Sequence, residues 1–409
     1  MAQESGSKSQ TFKPMVLLSA IGAVAILSTT MSKSPVLPFF AGFLGTTPEQ
    51  MGFIAAASTI PGILVSIPAG MVVDRKGPRG MLWISILLVA FVPFLYLPII
   101  TPQQLFWVRF LHGFATAILG PIALAIVAGL YTSRRGERMA TYSSSTRVGR
   151  MLAPLVGGLL LAFPIFAVLS LNVYQGVYLA CGVFGLIALG LTLVFSLTTK
   201  HRQDFEPVSE ERMNFAMLRQ VTTVQVLLIC LAQAAVFFLY GAFEFFMPLY
   251  WTTNAGIAEW MTGPLLSLFT AILLFSSPAL GALSDRYGRQ VFIIGGLIAM
   301  CVFTILLVLL PYPLIQIGVI VPMALAMAGV VSATIPFITE VVHHKLKGTA
   351  LGLLSTIMDV GQVLGPITVG FLLAASGNNY LYAFLIASGS LLLIPLLLLL
   401  YRLRIKPTE

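Results

Sequence analysis

The chain has 409 residues, of which 58% are apolar and 9% charged, and its mean hydropathy is +0.97. Soluble globular domains carry about 25% charged residues, so the composition excludes a water-solvated domain and points to an all-α polytopic membrane protein. A formal net charge of +9 needs no nucleic acid to account for it, because a basic face beside anionic lipid headgroups suffices.

A hydrocarbon layer about 30 Å thick is crossed by roughly 20 apolar residues in a helix, and backbone groups in lipid must be satisfied within the segment. The apolar runs are too long and too even for the alternating strands of a barrel. A polar stretch, Met1–Pro14, comes first. The apolar run behind it outlasts a signal-peptide core and shows no small-residue cleavage pattern, so it reads as the first span. Twelve spans are expected, at roughly 15–40, 49–72, 80–100, 103–130, 139–163, 173–197, 222–250, 257–283, 289–310, 313–341, 348–375 and 379–402. The longest polar break separates six spans from six, which predicts an N-terminal bundle over 1–199, a cytoplasmic linker over 200–221 and a C-terminal bundle over 222–409. Lys and Arg outside the spans, among them Lys8, Arg75, Arg135, Lys347 and Arg404, fall on one side, which places both termini in the cytoplasm, the membrane being the plasma (inner) membrane. Cys181, Cys230 and Cys301 lie inside apolar runs as small buried hydrophobes, with no disulfide or metal spacing.

The two halves repeat. Gly70-Met-Val-Val-Asp74-Arg75-Lys76-Gly77 recurs as Gly281-Ala-Leu-Ser-Asp285-Arg286-Tyr287-Gly288 at an offset of 211. Val148-Gly149-Arg150-Met151-Leu152-Ala153-Pro154 recurs as Val360-Gly361-Gln362-Val363-Leu364-Gly365-Pro366 at an offset of 212. Repeated halves are a common construction of secondary transporters. Asp74 with Arg75 and Asp285 with Arg286 stand where a helix leaves the membrane, so they can pair with neighbouring charges and helix ends. They read either as a latch on the cytoplasmic side or as a loop cluster that only fixes topology. Gly149, Ala153 and Gly157 recur every four residues, a small-residue stripe that admits another backbone, and Pro154 loosens that helix; ordinary close packing is enough to explain them.

These residues resemble the major facilitator superfamily. Gly-x-x-x-Asp-Arg-x-Gly between spans 2 and 3, repeated between spans 8 and 9, is similar to that family's signature loop, with Pro78 preceding Arg79 in the first copy. Leu105-x-x-x-Arg109-Phe110-Leu111-His112-Gly113 resembles its span 4 motif, with His112 where Gln is common. Gly149-x-x-x-Ala153-Pro154-x-x-Gly157-Gly158 resembles the span 5 motif of proton-coupled antiporters, with Ala153 in place of a glycine. The resemblance implies two pseudo-symmetric six-helix bundles working as a monomer, a part for Arg109 in proton coupling or gating, and antiport as the role of the span 5 motif.

Ionisable groups inside spans cost about 2.5 to 3.5 kcal/mol each on insertion scales and usually face a cavity or a partner. Here they are Lys33, Arg109, Arg147, Arg150, Glu244, Glu340 and Asp359, with the bases in the first half and the acids in the second. At the offset of 212, Arg147 aligns with Asp359 and Arg150 with Gln362. Each pair, three residues apart, shares a helix face. Two readings of Asp359 are open: proton carrier, or one end of a static bridge to Arg147. Glu244 among Phe243, Phe245, Phe246 and Tyr240 could hold an amphipathic cation, or the rings form an interfacial belt. His112 is either a proton-exchanging group or a packed, hydrogen-bonded histidine. Lys33 either binds substrate or snorkels, and Glu340 reads as a structural partner for a nearby base.

The expected function is secondary active transport of a small amphipathic molecule, a drug or metabolite, by alternating access with proton-coupled efflux. Its partners are the substrate, protons and membrane lipids, and no nucleic acid. The alternative is an organic anion or lipid-like substrate held by the basic first half. Proton coupling is assigned to Asp359, Arg109, His112 and Glu244. Substrate binding falls to Arg147, Arg150, Glu244, Lys33, Gln362 and Tyr240, and gating to Asp74, Arg75, Asp285, Arg286, Gly149, Pro154, Gly157 and Gly158. No nucleotide-binding loop and no enzyme motif is present, so a proton gradient with no bound cofactor is expected to drive it.

Overall fold

The computed structural model describes residues 2–64, 78–131, 134–163, 171–199, 220–343 and 346–404, and its regular elements are all helical. In the first half these are α1 (Ala2–Met31), α2 (Val36–Phe43), α3 (Pro48–Ala57), α4 (Pro78–Phe91) with a 3-10 turn over Val92–Tyr96, α5 (Pro102–Leu130), α6 (Arg135–Ala162) and α7 (Val173–Thr198). In the second half they are α8 (Val224–Thr253), α9 (Glu259–Tyr287), α10 (Arg289–Leu309), α11 (Pro313–Val341), α12 (Lys347–Ala375), α13 (Tyr380–Leu391) and α14 (Leu393–Arg404).

Among the described residues ten helices or helix pairs are long and apolar enough to cross a membrane. Helical segments also stand at the two remaining expected positions, 48–64 and 135–162; the second is made less apolar by Arg147, Arg150 and its run of Ser and Thr. The 29-residue helices α5, α9, α11 and α12 are each about 43 Å long at 1.5 Å per residue. Two helix starts are chemically marked. Thr101 with Gln104 and Asn172 with Gln175 form reciprocal capping boxes on α5 and α7, which satisfy amides that have no helical partner.

Three expected spans are interrupted: the first, the second and the twelfth, where α13 ends at Leu391, four residues ahead of Pro395. A proline has no amide to donate to the carbonyl four residues back, and its ring crowds that carbonyl. Helix α1 ends at Met31, four residues ahead of Pro35, and α3 ends at Ala57, four residues ahead of Pro61. The first span therefore consists of α1, the turn 32–35 and α2. The second consists of α3, the turn 58–59 and a further helical stretch from Ile60.

The chain divides into two compact units, Met1–Leu44 with Ala57–Glu210, and Gly45–Ala56 with Glu211–Glu409. In unit 1, α1 lies against α6 and α7, and α4 against α5 and α7. Leu18, Ile21, Ile86, Leu119, Ile122 and Ile126 are fully or almost fully buried there. In unit 2, α8 lies against α12, α9 against α11, and α10 against α11 and α13. Lipid tails are as apolar as leucine, so helices associate through close packing and interhelical hydrogen bonds. Ser28 Oγ donates to Cys181 O at 2.8 Å and Ser85 Oγ to Ala115 O at 2.8 Å. All three cysteines are buried and free.

Glycines set the tightest approaches, and they repeat. A Cβ on Gly149 of α6 would lie 2.3 Å from Ala23 O of α1, and one on Gly361 of α12 would lie 2.2 Å from Ala234 O of α8. The donors of space differ by 212 and the carbonyls by 211, so the repeat read from motifs is also a repeat of backbone contact. In unit 2, α3 joins α12 in the same manner: a Cβ on Gly52 would meet Pro366 O at 2.6 Å, and one on Gly370 would meet Pro48 O at 2.5 Å.

Candidate functional site

Arg109 projects from α5 toward both interruptions of unit 1. Its Nη1 donates to Ser32 O at 3.4 Å and to Ser32 Oγ at 3.3 Å, in the turn that follows α1. Its Nη2 donates to Ser58 Oγ at 2.7 Å, in the turn that follows α3. The guanidinium thus satisfies polar groups that the prolines leave outside a helix, which is the condition for irregular backbone at membrane depth. Gly113, one turn along α5, makes this possible: a Cβ there would stand 2.3 Å from Ser58 O and 2.9 Å from Pro61 Cγ.

His112 shares the Arg109 face of α5. Its Nδ1 lies 3.2 Å from the Tyr96 hydroxyl and 3.4 Å from Ser32 Oγ. Ser32 Oγ has one proton and donates it to Thr29 O at 2.7 Å, so toward Arg109 and His112 it can only accept. His112 Nε2 has no hydrogen-bond partner among the described residues; neither has Arg109 Nε. Tyr96 stacks face to face on Tyr178 at 4.1 Å. Arg109 and His112 are each 2% exposed, and no carboxylate among the described residues lies within ion-pair distance of Arg109.

The remaining candidates are dispersed. Arg147 and Arg150 are exposed on α6, and Asp359 and Gln362 are half-buried on α12, each pair in its own unit. Lys33 is half-buried in the turn after α1. Gly149, Pro154, Gly157 and Gly158 are buried, and Gly157 faces Met31 and Pro35 at the end of α1. Helix α6 continues through Pro154 without ending.

Glu244 is 8% exposed on α8. Phe243 of the same helix packs on Phe269 at 4.9 Å, and Tyr240 stacks on Phe269 at 5.7 Å. Two buried polar links join helices of unit 2: Thr334 Oγ1 donates to Gln233 Oε1 at 2.8 Å, and Trp251 Nε1 to Gln316 Oε1 at 2.8 Å. Gln316 Nε2 also donates to Leu307 O and Leu310 O at 2.8 and 2.7 Å, which fastens the turn between α10 and α11.

Asp74 and Arg75 lie outside the described residues. At the second copy of their motif, Asp285 pairs with Arg289 rather than with Arg286, which instead lies over the ring of Tyr287 at 5.6 Å. Asp285 and Arg289 are one helical turn apart in sequence, and Gly288, at φ 99°, turns the chain from α9 into α10 between them. A φ in that range favours glycine. Arg289 Nη2 also reaches Glu340 Oε1 of α11 at 3.0 Å. The cluster borders an open cavity of about 650 Å³.

Sequence reasoning singled out Arg109 and His112 but missed Ser32, Ser58 and Tyr96. The signal for the two serines was partial: each sits in the turn between a helix end and a proline. Tyr96 carried no such mark. Gln233 and Gln316 were also missed, although an uncharged amide inside an apolar span needs a partner as a charge does.

A family model described as Major Facilitator Superfamily matches residues 18–334 and 261–409. The multidrug resistance protein MdtG of Rahnella sp. is 26% identical over 354 residues, covering 81% of this chain and 80% of the relative. The staphyloferrin B transporter of Staphylococcus aureus is 22% identical over 320 residues, covering 78% and 75%. The crystal structure of a bacterial homologue of the human lysosomal transporter Spinster, inward-facing and occupied, superposes with a TM-score of 0.80 at 16% identity, over 96% of this chain and 98% of that one.

Proposed function

The chain belongs to the Major Facilitator Superfamily, and from that premise we propose that it exports a small amphipathic organic molecule by alternating access, with export coupled to proton entry. The observation that carries this reading is the buried centre on α5, where His112, beside Tyr96, meets at Ser32 Oγ a guanidinium that holds two interrupted spans. The likeness to a multidrug resistance protein over most of the chain supports an amphipathic substrate. In this reading Asp359, half-buried on α12, carries the proton, and Arg109, His112 and Glu244 couple its movement to the cycle. Arg147, Arg150, Glu244, Lys33, Gln362 and Tyr240 contact substrate. The two signature-loop copies and the α6 glycines gate. The protein works as a monomer in the plasma (inner) membrane with both termini in the cytoplasm, driven by the proton gradient and without a bound cofactor.

Proteoliposomes with an acidic lumen test it. Ethidium is expected to accumulate, and a protonophore is expected to abolish the accumulation. Uptake that ignores the gradient would remove proton coupling. Asp359→Asn is expected to lose gradient-driven accumulation while keeping downhill exchange; full gradient-driven transport by that variant would end the carrier role.

A second reading is favoured by one observation: Arg109 is buried, and its acceptors among the described residues are all neutral. An organic anion as substrate requires Arg147 or Arg150, whereas a cation requires Glu244 or Asp359, so binding assays on charge-neutralised variants separate the two.

A further inference from the structure

The polar atoms around Arg109 can be accounted for one by one, and the sum is unbalanced. The guanidinium brings a full positive charge into a site where it and His112 are 2% exposed. Its acceptors are a carbonyl and two hydroxyls, all neutral. Arg109 Nε, an N–H donor, and His112 Nε2 have no hydrogen-bond partner among the described residues. A desolvated cation is costly unless a counter-charge and well-placed acceptors accompany it, and hydrogen bonds between charged partners are about twice as strong as neutral ones.

A second observation is independent of this inventory. Both groups that hold Arg109 stand in turns where spans are interrupted, and discontinuous helices are where transporters place their ligand sites. A turn is also the part of a span that can withdraw a side chain without unwinding a helix. Ser58 is positioned for this, since α3 ends one residue before it and the next helical stretch begins two residues after it.

We propose that Arg109, His112 and the turn at Ser58 form a binding site for one monoanionic acceptor, a carboxylate or a small inorganic anion, which takes the place of the Ser58 hydroxyl on the guanidinium. The anion supplies the negative charge that the described residues around Arg109 lack, and it accepts from the guanidinium, Nε included. The site stands apart from the proton-coupling reading, and anion binding would survive even if no pH gradient drove transport.

The test uses the purified full chain in nanodiscs at constant ionic strength, with sodium formate, acetate, chloride or nitrate replacing sodium gluconate, the bulkiest of the five anions. A saturable rise in melting temperature of about 2 °C or more is expected. A response to formate and acetate alone identifies the carboxylate of a transported molecule; an equal response to all four identifies a free inorganic anion. Ser58→Asp places a carboxylate on Arg109 from within, so it is expected to melt higher than the wild type and to ignore every probe. Arg289→Gln, in the exposed cluster of unit 2, is expected to keep the wild-type response. No shift with any probe, a Ser58→Asp protein that responds as the wild type does, or loss of the response in Arg289→Gln would each overturn the proposal.

Discussion

Helices α1 and α8 open the two repeats and meet α6 and α12 through the same glycine-to-carbonyl approach, yet one is interrupted and the other runs through. Helix α8 holds Pro248 and still extends unbroken to Thr253. In unit 1, Pro35 is followed by Pro38, which falls in the first turn of α2, where an amide has no helical partner to lose and the fixed φ favours a new start. Ser32 adds a side chain that bonds backward to Thr29 O, competing with the helical pattern. The positions repeating Arg109 at offsets of 211 and 212 are Ile320 and Val321. The guanidinium thus occurs in the half whose first span is interrupted, and the positions that repeat it are apolar in the half whose first span, α8, is unbroken. The repeat preserves how the helices pack and lets the polar interior diverge.

The largest expected effect tests the shared part of that comparison. Gly149→Val and Gly361→Val each put atoms well inside contact distance of a backbone carbonyl, and each is expected to cost about 3 kcal/mol or more, read as a drop in melting temperature of the purified protein. Similar losses support equivalent approaches; a loss in one alone breaks the symmetry. Gly190→Ala, with open space at its Cβ, serves as the control and is expected to gain up to about 1 kcal/mol from helix propensity.

Next in size is Gln316→Leu. It leaves Trp251 Nε1, Leu307 O and Leu310 O without their partner and is expected to cost about 2 kcal/mol, with transport kept at temperatures where the protein is folded. Pro35→Ala restores an amide for Met31 O and lets α1 and α2 join. Stability is expected to stay within about 1 kcal/mol, while transport in proteoliposomes falls about tenfold because a conformational step is lost. Unchanged transport would mean that the interruption has no part in the cycle. Smallest is Glu340→Gln, which removes one half-exposed ion pair to Arg289 and is expected to change stability by less than about 1 kcal/mol.

Much of the packing was legible in the sequence because it depends on local pattern. Gly149 and Gly361 stand in matched motifs, and a glycine in an apolar helix has few uses other than close approach. The interruptions at Met31 and Ala57 were not legible: each stands four residues ahead of a proline, but Pro154 and Pro248 lie inside unbroken helices, and apolar length reads across them all. Arg109 stood out because charge is scarce in lipid. Its partners did not, because Ser32, Ser58 and Tyr96 reach it from spans 1, 2 and 3, and no spacing along the chain encodes which serine of many meets it. Asp285 is expected from the sequence to pair with a neighbouring charge, and that Arg289 is the one has a local cause: the positive φ of Gly288 carries the chain into α10 so that the residue after it turns back toward α9.

The 29-residue helices carry a consequence for the bilayer. At about 43 Å they exceed a hydrocarbon core of about 30 Å by more than two turns. They can meet that mismatch by leaning, by thickening the surrounding lipid, or by extending into the headgroup layer. The short pair α2 and α3, of 8 and 10 residues, has no such reserve. Lipids with longer acyl chains should therefore be absorbed by the long helices through a smaller lean, and any strain should gather at the interrupted spans beside Arg109. Acyl-chain length would then act on this protein as a graded mechanical input.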